Sequence, residues 1–377
     1  MSTSTPILFP TSYLESRAYF HHHLERIQGK WPAAALDRQS ISEEDDHSID
    51  WILAEPAGRK QRMILITSGL HGVEGFVGAA MLDLFIKEFL PQIDPEGTGV
   101  CLVHALNPWG MAHLKRFNQN NVDLNRNFMV DPGEFDLVFN QNYLKLDRIL
   151  NPRRPLRPFW QEDPAFIFNV IASIARYGIQ SLREAVLLGQ QSNPAGLYYT
   201  GREYQPETLW VRDLVKAALS SYQQILHLDL HTGYGPSDQM SIVISPSEPR
   251  SSAEVGEDYH YPLVYKADPE QFYSMKGDMV DWIYQFQESL YPEVRLFSAA
   301  FEFGTYGSGI LKETLSLRTM IFINQAVQQG TISPKVASRI EEEFVEMFFP
   351  LSSAWREKAL ADCRQAFTGI LDKEGFL

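Results

Sequence analysis

Cysteine is nearly absent: Cys101 and Cys363 are the only two in 377 residues. One falls in an apolar run that reads as a core strand and the other in a late helical stretch. That argues against a structural disulfide and for a reducing compartment, the cytoplasm. No apolar run reaches the roughly 20 residues that cross a bilayer, and no basic-then-apolar leader opens the chain. Positive charge is in deficit, with 33 Lys and Arg against 47 Asp and Glu for a formal net charge of -14. This argues against nucleic acid or an anionic membrane as a partner. The acids are spread along the chain rather than gathered in a tail. Repeats, low-complexity tracts, a G-x-S-x-G elbow, a phosphate-binding loop and a dinucleotide fingerprint are all missing. Serine hydrolase, NTPase and nicotinamide-dependent readings therefore lack their anchors.

What is present starts with Ser68-Gly69-Leu70-His71-Gly72-Val73-Glu74-Gly75. Upstream, Met63 to Thr67 is a continuous apolar and β-branched run that reads as a buried strand. Downstream, Gly75 to Leu90 has helical periodicity. His71 is thus expected in the loop at the carboxyl end of a strand, with Glu74 at the first turn of the next helix, the crevice where open α/β sheets bind ligands. A His and a Glu held there can supply two of the three protein ligands of a catalytic zinc. The H-x-x-E spacing alone is weak, because His22-His23-Leu24-Glu25 contains it too. That second copy lies in a polar helical stretch, Tyr13 to Gln28, with no strand before it, and reads as a solvated helix face.

A third ligand should come from another strand end. In His227-Leu228-Asp229-Leu230-His231-Thr232-Gly233 the alternation puts His227, Asp229 and His231 on one face. His231 lies last and is the candidate ligand. Asp229 is placed to orient an imidazole by accepting its other N–H, and His227 reads as a core histidine. Glu302, in Phe301-Glu302-Phe303-Gly304 after an apolar approach, is either a buried structural acid or a general base with a raised pKa. The Asn-rich run Arg116 to Phe128 is a poor helix former. Its arginines and amides either cradle a carboxylate or belong to a surface loop with the arginines paired to acids.

Taken together these elements resemble the zinc carboxypeptidase superfamily. They follow its order: H-x-x-E at His71 and Glu74, N-P-x-G at Asn107 to Gly110, D-x-N-R-N-F at Asp123 to Phe128, a strand-end His231 and a late Glu302. The wording S-G-x-H-G-x-E-G, R-F-N-x-N-N-x-D-L-N-R-N-F, D-L-H-T-G and E-F-G-T-Y is similar to an uncharacterised bacterial subgroup. The resemblance spans roughly residues 50 to 325. It implies one zinc ion on His71, Glu74 and His231, with Glu302 as general base and Arg116 polarising the scissile carbonyl. It also implies that Asn125 and Arg126 hold the substrate's terminal carboxylate. Tyr273, five residues after which Asp278 precedes the Met279-Val280-Asp281-Trp282 run, matches the tyrosine that closes over substrate, and Val280 would face a neutral or apolar side-chain pocket.

Strands alternating with helices predict a three-layer α/β/α sandwich with a mixed, mainly parallel sheet. Residues 51–330 are expected to form the catalytic domain, with a helical and loop elaboration at about 131–210. Residues 1–50 would be a lead-in packed on that core and residues 331–377 helices of the same domain. Within the elaboration, Phe135 to Leu150 and Ala165 to Gly189 read as helices, after the stiff basic stretch Pro152 to Pro158. Tyr198 and Tyr199 belong either to the rim of the cleft or to a helix–sheet joint. The resemblance implies a metallocarboxypeptidase acting on small peptides or peptide-like amides. The alternatives are an N-acyl amino acid deacylase of the aspartoacylase/succinylglutamate desuccinylase type and a non-catalytic protein that kept the cleft.

Overall fold

The computed structural model describes residues 6–42, 46–137, 140–267, 276–307 and 309–377. Its centre is a sheet of eight strands among the described residues: β1 (Ala35–Ser40), β2 (Ser48–Ala54), β3 (Arg62–Ser68), β4 (Thr98–His104), β5 (Gln224–Thr232), β6 (Met240–Ile244), β7 (Val264–Lys266) and β8 (Arg295–Phe303). The strand order is β1-β2-β4-β3-β5-β8-β6-β7. The centre, β4-β3-β5-β8, is parallel, and antiparallel pairings join β1 to β2, β2 to β4 and β6 to β8. The chain leaves β3 for β4 on one side and reaches β5 on the other, so the sheet has its topological switch at β3.

The helices follow as α1 (Tyr13–Gln28), α2 (Gly75–Leu84), α3 (Pro108–Ala112), α4 (Gln141–Leu150), α5 (Phe159–Tyr177), α6 (Ile179–Leu187), α7 (Pro206–Ser221), α8 (Ser252–Asp258), α9 (Met279–Leu290), α10 (Ile310–Gln329), α11 (Pro334–Phe348) and α12 (Ser353–Lys373). Strand periodicity divides the core. Ile64, Ile66, Leu226, Leu228, Leu230, Phe301 and Phe303 pack with α1, α2 and α12 on one face. Met63, Leu65, Cys101, Val103 and Ile225 pack with α7 and α9 on the other. This is the expected three-layer sandwich. A third apolar cluster joins α4, α5, α10 and α11 around Tyr143, Leu146, Phe166, Phe322 and Phe344.

Three local readings differ from the structure. The helix after β3 is α only to Leu84 and continues as a π turn over Phe85–Phe89. The elaboration's first expected helix is a 3-10 stretch, Pro132–Leu137, followed by α4. Its second begins at Phe159 and is two helices, broken at Gly178, whose φ of +82° suits glycine best. Both cysteines are buried and free.

Candidate metal and catalytic centre

The three parallel strands β3, β5 and β8 end side by side, and each ending delivers part of one cluster. β3 runs out at Ser68 and a single 3-10 turn, Gly72–Glu74, carries the carboxylate back over the sheet. That turn packs so tightly on α3 that a Cβ at Gly72 would lie 2.1 Å from the Gly110 carbonyl carbon. The glycine is required by this close approach, and it couples the H-x-x-E turn to the N-P-x-G turn. Asn107 holds the second turn, accepting from Gly110 N at 2.8 Å and donating to the Arg116 carbonyl at 3.3 Å. His231 lies opposite Glu302 in the β5–β8 register.

His71, Glu74 and His231 are all buried, with ligand atoms within 4.8 Å of one another. The Glu74 carboxylate faces both imidazoles: Oε1 is 2.9 Å from His71 Nδ1 and Oε2 is 3.1 Å from His231 Nδ1. The far nitrogens are held by acids. His71 Nε2 is 3.2 Å from Asp123 Oδ1 and His231 Nε2 is 2.5 Å from Asp229 Oδ2. An imidazole that donates its Nε2–H to a carboxylate presents a lone pair at Nδ1, the arrangement that orients metal-bound histidines. Two such lone pairs and a carboxylate then converge on one buried point, which requires a cation or protons. Burial would lower the His231 pKa, yet Asp229 and Glu74 hold it well above the usual value. Burial would raise Glu74, yet His71 and His231 bring it down to about 2. The donor set therefore fits a divalent metal with two nitrogen ligands and one oxygen ligand.

Glu302 sits at the end of β8 on the same face, with Phe301 and Phe303 in the opposite core. Its Oε2 is buried without a hydrogen-bond partner. Burial pushes its pKa up to about 8, Glu74 adding to the rise while His231 and Arg116 oppose it. Glu302, His231 and Asn125 line one pocket with Val243, Ile244, Ser245, Ala267, Asp278, Val280 and Ala300. Val280 is in that pocket.

The arginine loop is arranged differently. Arg116 and Arg126 each donate through Nη1 to the same Asp123 oxygen, and the two guanidinium groups hold Asp123 well below the usual carboxylate range despite its burial. Arg116 stays close enough to Glu302 and Glu74 to influence both charges. Arg126 instead runs under the elaboration, with Nη2 toward the Val186 carbonyl at 3.5 Å and the Tyr198 ring 4.6 Å from its guanidinium carbon. It does not line the Glu302 pocket. Asn125 does, but its amide is already tied to α9, accepting from Met279 N at 2.9 Å and donating to Asp278 Oδ2 at 3.0 Å. Of the expected clamp, then, Asn125 faces the pocket and Arg126 does not. Tyr273 lies outside the described residues.

One contributor, Asp123, was not singled out by sequence reasoning. Asp123 both orients His71 and neutralises two arginines; its place three residues before Arg126 was the available signal. Tyr198 has φ +55°, uncommon for a non-glycine residue, and covers both guanidinium groups. Tyr199 is instead buried in the sheet-side core. His227 bonds to Thr67 Oγ1 at 3.0 Å and Ser298 Oγ at 2.8 Å, buried in the sheet.

Residues 9–362 match a protein family described as a protein of unknown function (DUF2817). The chain belongs to this family. Among curated proteins nothing matches. Similar solved structures include the carboxypeptidase A of Helicoverpa armigera, at 15% identity over 88% of this chain and 74% of that one, with a TM-score of 0.46. Bovine thrombin-activatable fibrinolysis inhibitor, solved in complex with a tick carboxypeptidase inhibitor, is also 15% identical, over 88% of this chain and 98% of that one, with a TM-score of 0.46. A Shewanella amazonensis protein named as a candidate succinylglutamate desuccinylase/aspartoacylase is 17% identical over 80% and 75%, with a TM-score of 0.38.

Proposed function

We propose that this chain is a zinc-dependent hydrolase that cleaves a C-terminal peptide or peptide-like amide bond of a small substrate in the cytoplasm. The observation that carries the reading is the Glu74 carboxylate set between two Nδ1 atoms whose rings are each held by an acid, beside a buried Glu302 with a free oxygen. His71, Glu74 and His231 would hold the ion. A zinc bound there supplies a Lewis acid that brings the pKa of a water molecule toward neutrality.

The remaining work falls to the chain's own side chains. Glu302 takes the proton of the attacking water and returns it to the departing amine, which a carboxyl group poised near neutral pH does well. Arg116 lies beside the same centre and stabilises the negative charge that develops on the carbonyl oxygen. Asp123 and Asp229 keep the two rings turned with Nδ1 inward. Asn125, fixed to α9, orients the substrate in the pocket of Val243, Val280 and Ala300.

A second reading, deacylation of N-acyl amino acids, is favoured by one observation. Arg126 is turned onto Asp123 and away from the pocket, so the carboxylate clamp expected of a carboxypeptidase is incomplete. Turnover of peptides with a free C-terminus is compared with turnover of N-acyl amino acids, using Glu302→Gln as the blank. Faster peptide cleavage supports the first reading and faster deacylation the second. Zinc bound with no turnover of either class points to a binding protein, and a folded chain that takes up no zinc when supplied overturns the hydrolase reading.

A further inference from the structure

The pocket beside Glu302 has a polarity that the reaction steps above do not use. Val243, Val280 and Ala300 give it apolar walls, Asp278 and Glu302 give it two acids, and among the described residues no lysine or arginine lines it. Glu302 is 8% exposed and keeps Oε2 without a hydrogen-bond partner. Asp278 caps α9, accepting from Asp281 N at 2.9 Å and from Asn125 Nδ2 at 3.0 Å, and has no basic partner among the described residues. Burial pushes its pKa above the usual carboxylate value, with Asp281 adding to the rise. Each of its oxygens has a further lone pair to offer. A divalent ion on His71, Glu74 and His231 would be balanced by Glu74 and Glu302, which leaves the Asp278 charge uncompensated.

The groups that would receive an anion are engaged elsewhere. Arg126 is 2% exposed and turned onto Asp123. A helix N-terminus attracts carboxylates, but at the start of α9 Met279 N donates to Asn125 Oδ1 at 2.9 Å and Asp281 N donates to Asp278. Lys266 Nζ, beyond Ala267, is held by the Glu248 carbonyl at 2.6 Å.

We propose, resting on the hydrolase reading above, that this pocket receives a positively charged group on the leaving amine of the substrate, and that Asp278 is the residue that reads it. The substrate class is then an amide whose amine part carries an ammonium group on a short aliphatic stem. The ammonium donates to the spare lone pairs of Asp278, and the stem lies against Val243, Val280 and Ala300. The cavity of about 30 Å³ suits an ammonium group, which is about the size of a water molecule.

Isothermal titration calorimetry of ornithine, norleucine and glutamate on the chain supplied with zinc tests the proposal. Ornithine and norleucine differ only in an ammonium against a methyl group. Ornithine is expected to bind roughly ten- to hundredfold tighter than norleucine, with glutamate the weakest. Asp278→Asn, an isostere that still caps a helix, should remove most of that ratio. The same order is expected in kcat/KM when one acyl group is carried on each of the three amines. Ornithine binding no tighter than norleucine, glutamate binding tightest, no binding of any of the three, or a ratio that Asp278→Asn leaves intact overturns the proposal. Should circular dichroism show that Asp278→Asn does not fold, the order of the three ligands on the wild type decides. Ornithine bound at the expected ratio with no turnover of any of the three amides upholds the cation pocket and sinks the hydrolase reading, so the two fail separately.

Discussion

The strand-end cluster and the arginine loop lie side by side, yet they are built on different terms. His71, Glu74, His231 and Glu302 each leave the end of a parallel strand or the turn directly after it. Their directions follow from strand alternation and from tight packing of a single turn. Arg116, Asn125 and Arg126 leave a long loop with one 3-10 turn, and their directions are set by whatever acid or carbonyl lies within reach. Asp123 belongs to both regions, orienting His71 with one oxygen and collecting two arginines with the other. Rigid elements aim side chains by geometry, whereas loops aim long flexible ones by pairing.

The sharpest way to break the strand-end side is to remove a piece of it. Glu302→Gln should lower turnover by about a thousandfold with zinc content unchanged, read by steady-state kinetics and elemental analysis. His71→Ala and His231→Ala should each reduce zinc from near one per chain to background. If both variants keep their zinc, the cluster is not the metal site.

The two histidine-holding acids then distinguish the regions. Asp229→Asn should weaken metal affinity roughly ten- to hundredfold, read by chelator competition. Asp123→Asn should do the same and also cost about 3 kcal/mol in chemical denaturation, because two largely buried arginines lose their shared counter-charge. Equal stability of the two variants would show that the loop does not depend on this pairing.

A pH experiment probes the loop's support. Asn118, in the loop, donates to Glu207 at 3.3 Å, and burial pushes the Glu207 pKa up to about 7 from an ordinary 4.5. The folded protein keeps this proton longer than the unfolded chain. Its contribution is therefore fully present below pH 4.5 and is lost as pH rises to about 7, by about 3 kcal/mol at most. Glu207→Gln should flatten that part of the stability profile in urea denaturation measured across the window. The smallest effect is expected at the other H-x-x-E. His22 and Glu25 are exposed on α1, and alanine at either should change stability by less than about 0.5 kcal/mol and zinc content not at all.

Much of this protein was legible because its determinants are local. The apolar run before His71 marks a fully buried strand, and the Leu/polar alternation through His231 and the phenylalanines flanking Glu302 are period-two signals. A period of two leaves no freedom in which face a side chain occupies. The same reasoning separated His71–Glu74 from His22–Glu25, because only the former has a strand before it and glycines to open the turn. Less was legible where two distant segments compete for one group. The helix α5 begins at Phe159, six residues before the expected start at Ala165, and holds Pro164 inside it, where the missing N–H leaves one helical hydrogen bond unmade. The Arg126 orientation depends on Val186 and Tyr198, which lie 60 and 72 positions away along the chain. No local pattern records that distance.

The sequence by itself determined that strands ending in His, Glu and Asp would line one edge of an α/β sheet, because backbone alternation and strand-to-helix turns are short-range geometry. Only the tertiary structure decided which acid each arginine serves and which tyrosine covers them. Those outcomes rest on contacts between segments remote in sequence, where a long charged or aromatic side chain has several partners of similar energy and packing chooses among them.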